Sequence, residues 1–454
     1  MKFEELLKKY DVPVPRYTSY PTVPFWSSTI NIPQWKQVFK NQFQQTNEKD
    51  GISLYIHLPF CESLCTYCGC NKKITKNHRV EEEYIKAIIA EWSMYCELMD
   101  EVPVIRELHL GGGTPTFFNP ENLDKLLNAI LDNSLVHADS NFSFEGHPNN
   151  TTEAHLKTLY NRGFRRVSFG VQDNNPIVQK AINRMQPLEN VKRVTEQARK
   201  TGFRSVNFDL IYGLPFQTIE SIRKTVLDCI SLQPDRFAFY SYAHVPWTSR
   251  SQRLFSESDL PLADFKLSLY HEGAGLFREH QYQPIGMDHF VLATDDLYKA
   301  YRSGSLHRNF MGYTTQYTRL QLGLGVSAIS DTGNAFAQNN KSLHDYYEII
   351  KNGELPLAKG CFLNQEDETF KKHILDIICN GSTYFGNQYL GQLQKYSFPI
   401  LEELQNDGLV ILSLRHVEVT ELGKNFTRNI CRAFDLKQLR SLADQNRSLY
   451  SQAI

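Results

Sequence analysis

Cys61-Glu-Ser-Leu-Cys65-Thr-Tyr-Cys68-Gly-Cys70 places four of the chain's nine cysteines within ten residues, spaced C-x3-C-x2-C-x-C. It follows directly on Ile52-Ser-Leu-Tyr55-Ile-His57-Leu-Pro59-Phe60, an apolar run rich in strand formers and closed by proline. Three thiolates on one tight loop suit a soft, polynuclear metal centre, because an iron–sulfur cluster needs thiolate donors converging from one side. A four-iron cluster normally takes four ligands. Three cysteines leave one iron open, and an open iron can bind and reduce a second cofactor. Two alternatives stand beside this reading. Structural zinc pairs two short cysteine turns some distance apart, whereas Cys96, Cys229, Cys361, Cys379 and Cys431 stand alone. A disulfide suits a secreted chain, and the first ten residues are a charged amphipathic stretch without the apolar core of a signal peptide.

The wider composition is that of an ordinary globular protein: 41% hydrophobic and 22% charged residues over 454 positions. That length implies two or three domains. A formal net charge of −1 gives no reason to expect nucleic acid or an anionic membrane as partner. No window approaches the roughly 18 apolar residues of a membrane span, and nine cysteines without secretion point to the reducing cytoplasm.

Working outward from the cysteine loop, strand-like runs at 52–57, 105–110, 141–145, 166–171, 206–212 and 236–241 alternate with helical patterns at 80–98, 120–131, 152–161, 188–201 and 218–231. Such alternation predicts an α/β fold with a parallel sheet and outer helices. In parallel barrels the chemistry sits at the C-terminal ends of the strands, so the residues ending each run are the ones to search. The second run ends in Gly111-Gly112-Gly113-Thr114, where backbone amides can approach a ligand closely. The third ends at Glu145. The fourth leads to Gln172 and, after a short helix, Arg184, a charged fork for a carboxylate. The fifth carries Asp209. A stiff, aromatic arm at 16–26 precedes a helix expected at 32–44, and a first helix is expected over 2–10. A longer helix is expected at 257–283. Beyond residue 356, helices and two short strands suggest a separate winged-helix-like unit, with no basic run to suit DNA.

C-x3-C-x2-C after a strand resembles the radical S-adenosylmethionine (SAM) superfamily. The added Cys68-Gly-Cys70, the preceding Tyr55-Ile-His57, the N-terminal Arg16-Tyr-Thr-Ser-Tyr20-Pro and the runs around 284–290, 306–315 and 322–330 are similar to the oxygen-independent coproporphyrinogen III oxidases. That resemblance implies a partial (β/α)6 radical SAM barrel at 51–355. An N-terminal extension (1–50) would cover the active site, and a mainly helical, winged-helix-like domain (356–454) would cap it. It implies a 4Fe-4S cluster on Cys61, Cys65 and Cys68. SAM would be held by Gly112, Gly113, Thr114, Glu145, Gln172, Arg184 and Asp209, with Tyr55 and Cys70 nearby. A second SAM is implied near Ala243, Phe310, Met311 and Ile329, where many relatives have glutamine in place of Met311. Tyr20, His307, Arg308 and Phe310 are expected to meet the substrate. Where relatives carry aspartate and arginine around the proline after Glu145, this chain has His147 and Asn149.

The implied activity is anaerobic. A 5′-deoxyadenosyl radical removes hydrogen from two propionates of coproporphyrinogen III, and loss of CO2 leaves the vinyl groups of protoporphyrinogen IX. An electron donor and an acceptor are needed as partners. A monomer is expected, with no nucleic acid and no membrane. The rivals are a radical SAM enzyme acting on haem, a haem chaperone and a cluster-sensing regulator.

Overall fold

The structure is a computed structural model, and it describes residues 3–247, 249–441 and 450–453. The six strand-like runs fold as β1 (Ile52–Leu58), β2 (Val104–Gly112), β3 (Leu135–Gly146), β4 (Phe164–Gln172), β5 (Ser205–Tyr212) and β6 (Arg236–Ser241). They pair in that order, every neighbour parallel. A parallel sheet must be covered on both faces, and β1 accordingly has no exposed residue. The intervening helices are Val80–Leu98, Pro120–Leu131, Glu153–Asn161, Leu188–Thr201 and Ile219–Ser231. Local chemistry sets their starts. The Asn119 side chain caps one, and Thr152 and Thr218 close capping boxes on two others.

Two expected boundaries move. β3 begins at Leu135, not 141; its first half pairs with the start of β2 but is largely solvent-exposed, so no buried alternation marks it. The helix expected over 257–283 is only Ala263–Glu279, because Pro261 and short 3₁₀ turns precede it. The first helix runs Phe3–Tyr10, with Lys2 outside the described residues, and the second extends to Asp50.

The sheet continues past both ends of the six strands. Beyond β6 lie β7 (Gln283–Ile285) and β8 (His289–Val291), antiparallel. A hairpin, β9 (His307–Asn309) and β10 (Gly312–Thr314), stands apart. On the other side of β1 come β11 (Gln321–Leu324), parallel to it, then β12 (Ile329–Asp331), β13 (Ala335–Asn339) and β14 (Leu357–Phe362). The twelve strands run in one order, β14-β13-β12-β11-β1-β2-β3-β4-β5-β6-β8-β7, open at both ends.

Packing crosses the boundaries read from sequence. Helix Ile32–Asp50 buries Trp35, Phe39 and Phe43 in the core of the large sheet, and β14, just past position 356, forms its edge. A second core joins the first helix, through Leu6, Leu7 and Tyr10, to helix Gln365–Asn380 and to Phe426 and Phe434. A small antiparallel sheet, Ser382–Tyr384, Val410–Leu412 and His416–Val419, completes the C-terminal region. No helix among the described residues is long and apolar enough to cross a membrane.

One buried carboxylate ties the sheet to its outer helices. Glu91 accepts from Gly325 N (2.8 Å), Tyr346 Oη (2.7 Å) and Asn339 Nδ2 (2.6 Å). Burial pushes it up to about 7 despite those donors. Glu91→Ala strands three buried donors at once. The expected cost is about 3–5 kcal/mol, read as a lowered midpoint in thermal unfolding.

Candidate active site

The cysteine loop leaves β1 at the C-terminal mouth of the barrel. Its far end is fastened back to the strand: His57 Nε2 donates to Asn71 O at 2.8 Å, and Tyr55 Oη donates to His57 Nδ1 at 3.0 Å. The Tyr55 ring stacks on His109, with centroids 6.0 Å apart. Each thiol of the expected ligand set has a polar neighbour. Thr114 Oγ1 donates to Cys61 Sγ at 3.3 Å, and Arg184 Nη1 lies 3.7 Å from Cys65 Sγ. The Cys70 thiol bonds to Cys68 and holds its pKa down, with Lys72 adding to the effect. Burial pushes Cys61 up to about 11. Lys72 Nζ also donates to Cys68 O at 2.9 Å, which closes the loop.

These thiols line one wall of a cavity of about 530 Å³. The ends of β2, β3, β4 and β5 supply its other walls, with Gly112, Gly113, Thr114, Glu145, Gln172, Arg184 and Asp209 all present. The glycines are there for space. Gly112 has φ +114°, and a Cβ on it would lie 2.6 Å from the His57 ring; one on Gly113 would lie 2.5 Å from Pro59 O. Burial alone would raise Glu145, but His109 and the Gly112 amide outweigh it and hold it below the usual range. Glu145 accepts from that amide at 3.2 Å. Asp209 behaves oppositely. Burial pushes it up to about 7, against bonds from Ser168 and Asn207 at 2.8 Å each. Arg184 gives Nη2 to Gly170 O at 2.6 Å, while its buried Nε has no partner.

This geometry has close parallels. The sequence profile of the Radical SAM superfamily matches residues 55–229. The oxygen-independent coproporphyrinogen III oxidase of Pseudomonas aeruginosa is 36% identical over 99% of this chain and 98% of its own length. That of Escherichia coli is 37% identical over 95% and 94%. The chain belongs to the oxygen-independent coproporphyrinogen III oxidase family. A solved structure of the Escherichia coli coproporphyrinogen III oxidase, described as a radical SAM enzyme, superposes with a TM-score of 0.88 at 36% identity, covering 93% of this chain and 97% of that one.

A coproporphyrinogen III oxidase of this family takes a 4Fe-4S cluster and SAM, and the cavity fits both. Among the described residues no group of three His, Cys, Asp or Glu side chains is gathered tightly enough for a single metal ion. A four-iron cube spreads its sulfur ligands wider than one ion does, and three loop thiols on a cavity wall suit it. Gly112 and Gly113 line the same cavity, packed so closely on β1 that no side chain fits, and the buried Arg184 Nε has no partner, which a carboxylate would supply.

Of the remaining residues expected from sequence to meet cofactor or substrate, only Cys70 lines this cavity. Cys70 is solvent-exposed at the cavity lip. Phe310 packs edge-on to Trp26 and Phe336, both ring centroids 5.9 Å away; Ile329 pairs with Gln338; the Ala243 carbonyl accepts from Gln252 at 3.2 Å. Met311 N is capped by Asn309 Oδ1. Tyr20 is buried in the second core with Tyr17, against the C-terminal domain. His307 and Arg308 line one small cavity together with Tyr20; the His307 ring lies tilted 4.3 Å from Tyr317, and Arg308 sits over the Tyr313 ring.

His147 and Asn149 both line the cavity, and Asn149 Nδ2 donates to Met185 O at 3.0 Å, bracing the loop that carries Arg184. Sequence reading missed Tyr67, Lys72 and His109 as site residues. Only Lys72 carried a signal, as the first cation after the cysteines.

Asp209 should be visible in pH titrations of the protein free of cluster and SAM. Its folded pKa, about 7, stands above the unfolded value of 3.8. The folded state therefore holds the proton more tightly, and stability is lost as pH rises through that window. Asp209→Asn is expected to flatten the fall in melting temperature between pH 5.5 and 8, worth about 1–3 kcal/mol. An unchanged slope would remove Asp209 as the titrating group.

Proposed function

We propose that this protein converts coproporphyrinogen III to protoporphyrinogen IX without oxygen, by oxidative decarboxylation of two propionate side chains. The observation that carries this reading is the mouth of the barrel. Three loop thiols, a glycine cradle and the ring of Glu145, Gln172, Arg184 and Asp209 share one cavity in a chain that matches the oxidases from end to end. Cys61, Cys65 and Cys68 would hold the cluster, and Gly112 to Thr114, Glu145, Gln172, Arg184 and Asp209 would hold SAM. Bound there, a reduced cluster and SAM supply a 5′-deoxyadenosyl radical, and that chemistry belongs to the cofactors.

The chain's own residues bind, orient and exclude water. Arg184 offers its open Nε to the carboxylate of the methionyl group. Glu145, kept ionised by His109 and the Gly112 amide, offers an acceptor to an ammonium. Asp209 and Gln172 offer hydrogen bonds to hydroxyls. For each propionate, one hydrogen atom leaves the β-carbon, the carboxylate departs as CO2 and one electron passes to an acceptor, so a vinyl group remains. An electron donor and an acceptor are thus required partners. We place the protein in the cytoplasm as a monomer that needs neither nucleic acid nor membrane. A second SAM near Ala243, Phe310, Met311 and Ile329, and substrate contacts from Tyr20, His307, Arg308 and Phe310, belong to the same reading.

The test is anaerobic turnover of cluster-loaded protein with SAM, a reductant and coproporphyrinogen III. Protoporphyrin and 5′-deoxyadenosine should appear together. Deoxyadenosine without protoporphyrin would move the substrate elsewhere, with haem tried next; neither product would leave a haem-binding chaperone.

A further inference from the structure

Three arginines from distant parts of the chain meet at the rim of the barrel. Arg16 comes from the N-terminal arm, Arg308 from β9 and Arg428 from helix Thr427–Arg432, and together they line a cavity of about 90 Å³. That space admits a carboxylate. Its wall includes Tyr212 and Ser241, the last residues of β5 and β6, and one carboxylate, Asp288.

The charges do not balance. Asp288 already accepts from His289 Nδ1 at 2.7 Å and stands 3.9 Å from Arg308 Nη1. Arg308 is only 6% exposed, yet its Nε and Nη1 have no hydrogen-bond partner. The Tyr313 ring, 4.6 Å from the guanidinium carbon, eases the charge but fills no donor. Arg16 gives Nη2 to the Ser241 carbonyl at 2.6 Å. Arg428 donates to the carbonyls of Val14, Pro15, Gln452 and Ala453, which pins the arm. Carbonyls satisfy donors without neutralising charge. The excess reaches Lys266: burial, then Arg16 and Arg428, push it down to about 7. Buried donors left open are costly, and an anion removes that cost.

The pocket adjoins the catalytic cavity. Tyr212 ends the strand that carries Asp209 three residues earlier, a rise of about 10 Å. Tyr240, on β6, is half-buried and feels the charges of both sites. Burial pushes its hydroxyl up, and Asp209 and Asp288 both add to that.

We infer that this pocket grips a propionate carboxylate of the tetrapyrrole, one that the reaction leaves intact. The inference rests on the oxidase reading above. A leaving carboxylate held by three guanidinium groups would be stabilised in its ground state and would resist loss as CO2. A spectator propionate held there instead anchors the ring while the reacting arm reaches the cavity. The pocket is built from arm, barrel and C-terminal region together.

Equilibrium binding tests this, using cluster-loaded, SAM-bound protein under anaerobic conditions. The probes are coproporphyrin III, protoporphyrin IX, which keeps only the spectator propionates, and the tetramethyl ester of coproporphyrin III. Arg16→Gln and Arg308→Gln should each weaken both acids about tenfold or more, leave the ester unchanged, and be partly rescued by lysine at the same position. In turnover the variants should raise KM more than they lower kcat. Unchanged affinity for the acids would overturn the inference, as would weakening confined to coproporphyrin III, which would place a reacting propionate in the pocket. Should Arg308→Gln fail to fold, the half-buried Arg16 carries the test. Wild-type turnover run in parallel separates the two readings. Failure to form protoporphyrinogen sinks the oxidase, whereas turnover with variant affinities unchanged sinks the pocket alone.

Discussion

Cys65→Ala is expected to abolish protoporphyrin and 5′-deoxyadenosine formation together. Cys65 is the middle thiol of the loop, buried beside Arg184. Its loss leaves two protein ligands for a four-iron cluster. Removing even an outer partner of a metal ligand typically costs about 10–100-fold, so losing one of three ligands should take turnover below detection. Iron content and the cluster's visible absorbance should fall with it. Cys70→Ala is the control. Cys70 lies exposed on the cavity lip and touches the site through the Cys68 thiol, so that variant should still load its cluster. If Cys70→Ala lost the cluster and Cys65→Ala kept it, the ligand assignment would be wrong.

Gly113→Ala should be nearly as damaging, for a steric reason. A Cβ there would stand 2.5 Å from Pro59 O and 3.0 Å from Leu58 O, both backbone atoms with no rotamer to yield. Those carbonyls are in use: Leu58 O accepts from Gly113 N and Pro59 O from Lys73 N, each at 2.8 Å. Pushing them apart shifts the start of the cysteine loop and the cradle facing it. Overpacking of this kind costs about 1–3 kcal/mol, and SAM affinity should drop at least about tenfold. Gly69→Ala, in the cysteine loop itself, has nothing within 4 Å of its new Cβ and should bind SAM normally. SAM titration and melting temperature on both variants decide the matter. Normal SAM affinity in Gly113→Ala would show that the cradle has slack.

The barrel was legible because its strands carry apolar residues in a run, as in β1, or at alternate positions, as in β4 and β5, with caps such as Asn119, Thr152 and Thr218 marking the helices between them. Thiols within ten residues of one loop, and polar residues near the ends of successive strands, marked the cavity for a similar reason. The expected element order places them at one mouth, and the structure has all of them lining one cavity. What failed to show was whatever local pattern does not encode. The exposed first half of β3 has no burial rhythm. Arg16, Arg308 and Arg428 are hundreds of residues apart, and only the docking of the arm and the C-terminal domain brings them to one cavity.

The central claim is that a hydrogen atom leaves the propionate β-carbon for the radical generated beside Cys61, Cys65 and Cys68. Mass spectrometry of 5′-deoxyadenosine, formed anaerobically from coproporphyrinogen III deuterated at its propionate β-carbons, tests this most directly. One deuterium per molecule of deoxyadenosine, in step with vinyl formation, is the expected result. Deoxyadenosine free of deuterium while protoporphyrinogen accumulates would contradict it.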